Sequence, residues 1–196
     1  VLVDSENTNL VNEIKYSFDK DDVYLNIVGT VYEDIRKASN DKYEYNYELK
    51  EFTQEIRDGK PRVVNFLPYV GNYGFIPGTY MDPSIGGDGD ALDILIIGES
   101  LKQGVIIEIK PIATLLLLDG GEEDHKVIGV PVYAKLNIAN VNDYESLTEP
   151  MKNIIKTWFT NYKGPNKMES KGCFLINLKK REYQHDCKRI VKKSFY

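Results

Sequence analysis

The chain has 196 residues, of which 42% are hydrophobic and 28% are charged, a balance that suits one domain with a sizeable core and no disulfide staples. The longest apolar candidate, Ile112–Leu118, is far shorter than the ~18 residues of a membrane-spanning helix. The sequence therefore predicts a soluble globular protein with no membrane partner. The start at Val1 lacks a signal-like apolar segment, so we expect a trimmed cytoplasmic form, and a processed, exported form fits the same start.

Strand-like segments come first along the chain. β-branched or alternating apolar residues predict six strands, at 23–31, 43–49, 63–66, 92–97, 105–118 with a break near Pro111, and 127–132. The segment 69–77, which carries two tyrosines and two glycines, is predicted to be a loop. Apolar residues then recur at helical spacing over Pro150–Tyr162 and again from Tyr183 to Phe195. Many short strands followed by two covering helices predict a mainly β, α+β architecture built round a small barrel.

The net charge of −5 is unevenly distributed. Residues 82–124 carry ten acidic and two basic side chains, a local charge of −8 that repels nucleic acid and can hold cations instead. A basic cluster at 179–193 could indicate nucleic-acid binding, but without interleaved stacking aromatics it is more typical of a solvated helix face. We therefore expect no nucleic-acid partner.

Three carboxylates, those of Asp88, Asp90 and Asp93, fall within six positions at the entrance to an apolar run. At the edge of a buried strand they would repel one another unless cations lay between them. Oxygen ligands select a hard ion such as Mg²⁺, Ca²⁺ or Mn²⁺, and the histidines and cysteines lack zinc-site spacing. Asp-Gly-Asp is also ordinary turn chemistry. An EF-hand loop fits poorly, because Leu92 and Asp93 stand where it needs an oxygen ligand and a glycine.

A second acidic group runs from Asp119 to Asp124, directly after an apolar run and two residues before Lys126. Its Gly-Gly pair fits a plain hairpin turn equally well, but a site with several metal ions would require a second carboxylate pair at a strand end. In the predicted loop, the phenol of Tyr73 could donate to an anion that the neighbouring glycines let the backbone approach.

From about Glu33 to Lys163 the chain resembles the soluble, family I inorganic pyrophosphatases. The matching steps are Asp-x-Asp-x-x-Asp at 88–93, Asn-Tyr-Gly at 72–74, Asp-x4-Asp-x-Lys at 119–126, Tyr-Lys at 162–163, Lys-Tyr-Glu at 42–44 and Gly-Lys-Pro-Arg at 59–62. One position departs from the family pattern: Ala91 stands where the family usually has proline, so we expect a freer loop with weaker metal preorganisation.

The resemblance implies an OB-like five-stranded β-barrel flanked by two helices in a single domain, with 164–196 as a C-terminal helical segment. It implies hydrolysis of pyrophosphate to two orthophosphates with Mg²⁺, a metal-activated water serving as the nucleophile. It also implies a homo-oligomer, either a dimer or a hexamer. The implied roles are general base for Asp90; metal ligands for Asp88, Asp93, Asp119, Asp124 and Glu33; and binding of the two phosphoryl groups for Lys42, Arg62, Tyr73, Lys126, Tyr162 and Lys163.

Other functions stay open at this point. A non-catalytic metal- or phosphate-binding module would keep the aspartates but would not need Lys42, Arg62, Tyr162 and Lys163. An OB-type nucleic-acid binder would need a basic groove where the acidic block lies. Hydrolysis of another phosphoanhydride, such as a nucleoside triphosphate or polyphosphate, also fits, although no Gly-rich nucleotide-binding loop is present.

Overall fold

The structure, a computed structural model, describes residues 27–31, 40–46, 48–49, 51–76, 81–101, 103–137 and 140–175. Within these ranges it has eleven strands and one α-helix: β1 Ile27–Val31, β2 Tyr43–Asn46, β3 Glu51–Gln54, β4 Ile56–Arg57, β5 Lys60–Pro61, β6 Asn72–Phe75, β7 Asp93–Ile96, β8 Val105–Asp119, β9 Glu122–Glu123, β10 Lys126–Pro131, α1 Glu149–Asn161 and β11 Met168–Leu175. Short 3-10 turns cover Pro83–Ile85 and Ala134–Leu136. Among the described helices, none has the length and apolar character needed to cross a membrane.

Seven strands form one sheet in the order β1, β6, β7, β10, β8, β11, with β9 paired to β8. The strand β1 also pairs with β8, in addition to its pairing with β6. The strands β7 and β10 run parallel, whereas the other described pairs are antiparallel. This mainly β architecture with a helix confirms the predicted class at that level. The second predicted helix, from Tyr183 to Phe195, lies outside the described residues.

The long strand β8 connects most of the sheet, and the predicted break near Pro111 is absent from it. Its first part pairs with β1 and its last part with β11. Against β10, Ile128 pairs with Ala113 while Gly129 pairs with Pro111, so Ile112 is an extra residue. Because a β-bulge accommodates a proline without a ladder donor, the irregularity becomes a local bulge and the strand continues.

Two predicted strands need correction. The segment 63–66 is not a strand, because Val63 makes only an isolated bridge to Asp41 before the chain turns away. The strand predicted at 43–49 ends at Asn46, whose side-chain oxygen accepts from the backbone N–H groups of Glu48 and Leu49 at 3.0 and 2.9 Å. This capping by an asparagine side chain turns the backbone and stops the ladder.

The predicted loop at 69–77 contains a buried strand, β6, which lies between β1 and β7. Its Asn72 side chain donates to the Glu99 carbonyl at 2.8 Å and accepts from the Leu101 N–H at 2.9 Å. These long-range bonds satisfy a buried amide that would otherwise oppose burial of the strand. The predicted C-terminal helical segment at 164–196 is wrong over its first part, because Met168–Leu175 forms the strand β11 and pairs with β8. This strand was not predicted, since Met168-Glu-Ser-Lys-Gly has weak apolar alternation.

The helix α1 confirms the predicted helix at 150–162. Thr148 caps its N-terminus by accepting from the Met151 N–H, and Ile155, Trp158 and Phe159 are buried. These side chains pack on one face of the sheet with Leu95. Ile94 and Ile96 pack in a second cluster, as strand alternation requires.

The loop before β7 is fastened to the β8–β9 hairpin. The Glu123 N–H donates to the Gly86 carbonyl at 2.7 Å, and Gly87 bridges to Glu123. A Cβ at Gly87 would lie 2.5 Å from the Met81 carbonyl oxygen and 2.9 Å from the Asp82 nitrogen. The loop backbone at Gly87 is therefore packed too closely against Met81 and Asp82 for a side chain.

We expect Gly87→Ala to lower the free energy of unfolding by about 1–3 kcal/mol, because the new methyl group must displace backbone atoms. Urea denaturation followed by circular dichroism measures the change. Gly120→Asn is the control, since Gly120 has φ +60° and no atom within 4 Å of a Cβ, and asparagine tolerates that conformation. Equal stability of the two variants would contradict the packing argument.

Candidate active site

Strand register brings a lysine and an aspartate together at the site. Lys126 opens β10 and pairs directly with Asp93, which opens the parallel strand β7. The Lys126 side chain is 2% exposed, and its ammonium donates to the carboxylates of Asp93 and Asp124. The Tyr73 hydroxyl, on the adjacent strand β6, donates to the same Asp93 Oδ2 at 2.6 Å. Four predicted site residues thus form one hydrogen-bonded unit.

The end of α1 adds a second lysine to this unit. The Tyr162 N–H donates to the Trp158 carbonyl at 3.0 Å as the last helical bond, and Lys163 follows it. The Lys163 ammonium forms an ion pair with Asp119 and lies 3.5 Å from Asp124 Oδ2. Asp124 therefore joins the strand lysine to the helix lysine.

The hairpin that carries Asp124 is held by the backbone of Leu117. The Asp124 N–H donates to the Leu117 carbonyl at 3.1 Å, and the Leu117 N–H donates to the His125 Nδ1 at 3.3 Å. Burial lowers the pKa of His125, which favours the neutral ring in this position. The predicted Gly120-Gly121 turn is present at the tip of the hairpin. The carboxylates of Asp119 and Asp124 thus have fixed places at a strand end.

The charges of this unit shift one another's pKa values. Burial raises the pKa of Asp124, but Lys126 and Lys163 together lower it by more than burial raises it. The net pKa is therefore below the usual range. Burial lowers the pKa of Lys126, and the carboxylates of Asp93 and Asp124 outweigh it, so the net pKa is raised. The lysine therefore stays charged although it is buried.

The loop aspartates are less well compensated. Asp88 Oδ1 accepts from the Asp90 N–H at 3.0 Å, which is the turn chemistry of this motif. Burial, and then the negative charges of Asp124 and Asp90, raise the pKa of Asp88 to about 6. Burial, and then Asp93 and Glu44, also raise the pKa of Asp90. Excess negative charge therefore remains on this side of the site.

Such a donor set fits hard divalent ions, because all the ligating atoms are oxygens and their charge lacks full compensation. In the part of the chain that the structure describes, no three His, Cys, Asp or Glu side chains converge closely enough to form a ligand cluster by themselves. The carboxylates of Asp93, Asp119 and Asp124 surround lysine ammonium groups. The fit thus rests on charge and oxygen chemistry.

The remaining predicted cations, Lys42 and Arg62, each pair with a glutamate. The Lys42 ammonium forms an ion pair with Glu44 at 3.1 Å and lies 5.9 Å from the centre of the Tyr73 ring. Arg62 forms an ion pair with Glu55. Glu44 and Glu55 were not predicted as site residues. Glu44 belongs to the Lys-Tyr-Glu step and could have been found there, whereas no pattern indicated Glu55.

An aromatic wall supports the site from the helix side. The Trp158 and Tyr162 rings stack at 4.6 Å, and Tyr69 lies 4.4 Å from Trp158 and 4.7 Å from Tyr73. The Trp158 Nε1 donates to the Leu67 carbonyl at 2.9 Å. Burial raises the pKa values of Tyr73, Tyr69 and Tyr162, so their hydroxyls stay protonated as donors.

The structure thus unites most of the predicted site residues. Hydrogen bonds and ion pairs connect Tyr73, Asp93, Lys126, Asp124, Lys163 and Asp119. Asp88, Asp90, Lys42 and Tyr162 interact with them electrostatically. Arg62 pairs with Glu55 and acts electrostatically on Tyr69, and Glu33 lies outside the described residues.

This chain is similar in sequence to known proteins. A family model described as inorganic pyrophosphatase matches residues 30–195. An inorganic pyrophosphatase of Saccharolobus solfataricus is 38% identical over 141 residues, which cover 70% of this chain and 76% of that protein. One of Eremothecium gossypii is 33% identical over 171 residues, which cover 78% of this chain and 59% of that longer protein.

A solved structure shares the fold as well. The crystal structure of an inorganic pyrophosphatase from Neisseria gonorrhoeae superposes with a TM-score of 0.66 at 26% sequence identity. The superposition covers 94% of this chain and 96% of that one.

We expect Lys126→Met to lower the free energy of unfolding by about 3 kcal/mol in chelated buffer, because it leaves Asp93 and Asp124 with an uncompensated buried charge. Urea denaturation at pH 7 measures this loss. Lys171→Met is the control, because Lys171 pairs with Glu169 at an exposed position and should change stability by less than ~0.5 kcal/mol. A similar loss in both variants would refute the buried-charge explanation.

We expect Asp88→Asn to stabilise the protein at pH 7 without divalent ions. Since the folded-state pKa of Asp88 is raised to about 6, its protonation favours folding at low pH, and this contribution disappears as pH rises from about 4 to 6. The neutral amide avoids that loss, worth about 1 kcal/mol after discounting solvent screening. Unfolding curves at pH 4 and pH 7 test this, and Mg²⁺ should reverse the advantage. An equal difference at both pH values would contradict it.

Proposed function

Because this chain belongs to the inorganic pyrophosphatase family, we propose that it hydrolyses inorganic pyrophosphate to two orthophosphates with divalent metal ions. The observation that carries the proposal is the connected row of Tyr73, Asp93, Lys126, Asp124 and Lys163, beside carboxylates with raised pKa values. Phosphate needs cations and hydrogen-bond donors, and hard metal ions need oxygens. One site offers both.

Mg²⁺ is the ion that we propose for this site, with carboxylate oxygens as its protein ligands. When bound, it would neutralise phosphate charge and lower the pKa of an attacking water. The ligands that we assign to it are Asp88, Asp93, Asp119, Asp124 and Glu33. The all-oxygen set and the raised pKa values of the loop aspartates support this assignment.

We assign the role of general base to Asp90. Its carboxylate would take the proton that the attacking water loses as the phosphorus–oxygen bond forms. A pKa raised by burial, Asp93 and Glu44 supports this role, because a more basic carboxylate accepts a proton more readily once it is ionised.

The phosphoryl groups would be bound by three kinds of donor. The Lys126 ammonium has three N–H donors, two of which are used by Asp93 and Asp124, so one can reach a phosphate oxygen. Tyr73 and Tyr162 would donate as neutral phenols. Lys42, Lys163 and Arg62 would add positive charge opposite the anion, Arg62 through its planar fork.

The same proposal includes an OB-like five-stranded barrel in a single domain, and the pairing of β1 with both β6 and β8 supports this closure. It also includes Mg-pyrophosphate as the substrate, a cytoplasmic location and a homo-oligomer of two or six chains. The barrel, the substrate and the oligomer are what the family resemblance implies, and all of these features, including the location, are open to direct measurement.

Phosphate release from Mg-pyrophosphate by the purified protein tests the function. We expect rapid release that stops on chelation and falls at least ~10²-fold in Asp90→Asn, the scale of a lost general base. Glu99→Gln, an exposed acid of the same charged block, should keep wild-type activity.

Two outcomes would overturn the proposal. Absence of release from folded, Mg²⁺-loaded protein would favour a binding module instead. Faster release from a nucleoside triphosphate or polyphosphate than from pyrophosphate would move the proposal to another phosphoanhydride.

A further inference from the structure

We propose that Glu55 is a positioning residue that holds the Arg62 guanidinium in its phosphate-binding orientation. The inference rests on the proposed function, since it assigns Arg62 to the substrate. Glu55 does not bind the anion itself. It acts through Arg62.

The backbones of three residues form a closed set of hydrogen bonds. The Lys42 N–H donates to the Arg62 carbonyl at 3.0 Å, the Arg62 N–H donates to the Glu55 carbonyl at 2.7 Å, and the Glu55 N–H donates to the Lys42 carbonyl at 2.8 Å. This ring fixes the main-chain positions of Lys42 and Arg62. It leaves the direction of the long arginine side chain undetermined.

The Glu55 carboxylate supplies that direction. Its Oε2 accepts from Arg62 Nη1, and its Oε1 forms an ion pair with Arg57 Nη2 at 3.2 Å. The side chains of Arg62 and Glu55 are 14% and 17% exposed, whereas that of Arg57 is 58% exposed. Burial raises the pKa of Glu55, but Arg62, Arg57 and Lys42 together lower it by more than burial raises it. The carboxylate therefore remains ionised.

A shielded pair of this kind restrains one edge of the guanidinium. The group has five N–H donors in a rigid plane, and the bond to Glu55 uses Nη1. Restraining this edge fixes the plane and directs the other donors, which lowers the entropy lost when a phosphate binds.

Charge alone predicts the opposite effect. A carboxylate beside an anion site repels pyrophosphate, so its neutralisation should tighten substrate binding. Positioning predicts that neutralisation weakens binding, because the guanidinium loses its fixed direction. The sign of the change in KM therefore separates the two roles.

Steady-state kinetics of Glu55→Gln with Mg-pyrophosphate provide the test. We expect KM to rise about tenfold, the scale seen when an orienting partner is lost, with kcat within about threefold of wild type. Glu55→Asp keeps the charge on a shorter side chain and should restore part of the loss. Arg57→Gln removes the exposed partner of the same carboxylate and should change KM less than about twofold. A fall in KM, or no change, in Glu55→Gln overturns the proposal.

Coupling gives a second criterion that general damage to the fold would not meet. In an Arg62→Lys background, Glu55→Gln should change KM less than about twofold, because the oriented fork is already absent. Full additivity of the two changes overturns the proposal.

Binding of inorganic phosphate with Mg²⁺, measured by calorimetry, separates this inference from the proposed function. If wild-type protein releases no phosphate from pyrophosphate, the proposed function fails. A Glu55→Gln variant that still weakens phosphate binding about tenfold would then support positioning. Unchanged phosphate affinity in this variant overturns it, whatever the turnover.

Discussion

A lysine ammonium buried between two carboxylates is the interaction on which the site is built. Lys126 opens β10 beside Asp93 of the parallel strand β7, and the hairpin returns Asp124 to its other side. Neither charge could be buried alone, because desolvation of an isolated ion costs several kcal/mol. The strand register, the position of the hairpin and the Tyr73 hydroxyl must therefore all be correct for this hydrogen-bonded unit to form.

The acidic block is only partly neutralised within the fold. Its carboxylates pair with two cations from outside the block, Lys126 and Lys163. Compensation is good at Asp124 and poor at Asp88, whose raised pKa records the difference. A site that reserves negative charge for a metal ion gives up stability of the metal-free fold in exchange for affinity.

Periodic segments were predicted well, and long-range pairing was not. The apolar runs of β7, β8 and β10 and the helical spacing of α1 are local signals, and each element formed where it was expected. The strand β6 has the composition of a loop, and it is a strand because Asn72 finds partners at Glu99 and Leu101, almost thirty residues away in sequence. The motifs indicated most of the side chains that the structure brings together. That Tyr73 bonds to Asp93, or Arg62 to Glu55, depends on register and could not be predicted from spacing.

The aromatic wall links the stability of α1 to the positions of Tyr162 and Lys163. Trp158 of α1 stacks on Tyr162, which directly follows the helix, and the next residue, Lys163, pairs with Asp119. Local opening of a surface helix requires less free energy than separation of a central strand ladder. Undocking of α1 on warming would withdraw Tyr162 and Lys163 while Lys126 stays between its carboxylates. If Tyr162 and Lys163 bind phosphate as proposed, the protein would lose phosphate affinity before it loses its carboxylate cluster, so heat inactivation would begin as a failure of substrate binding in a sheet that is still folded.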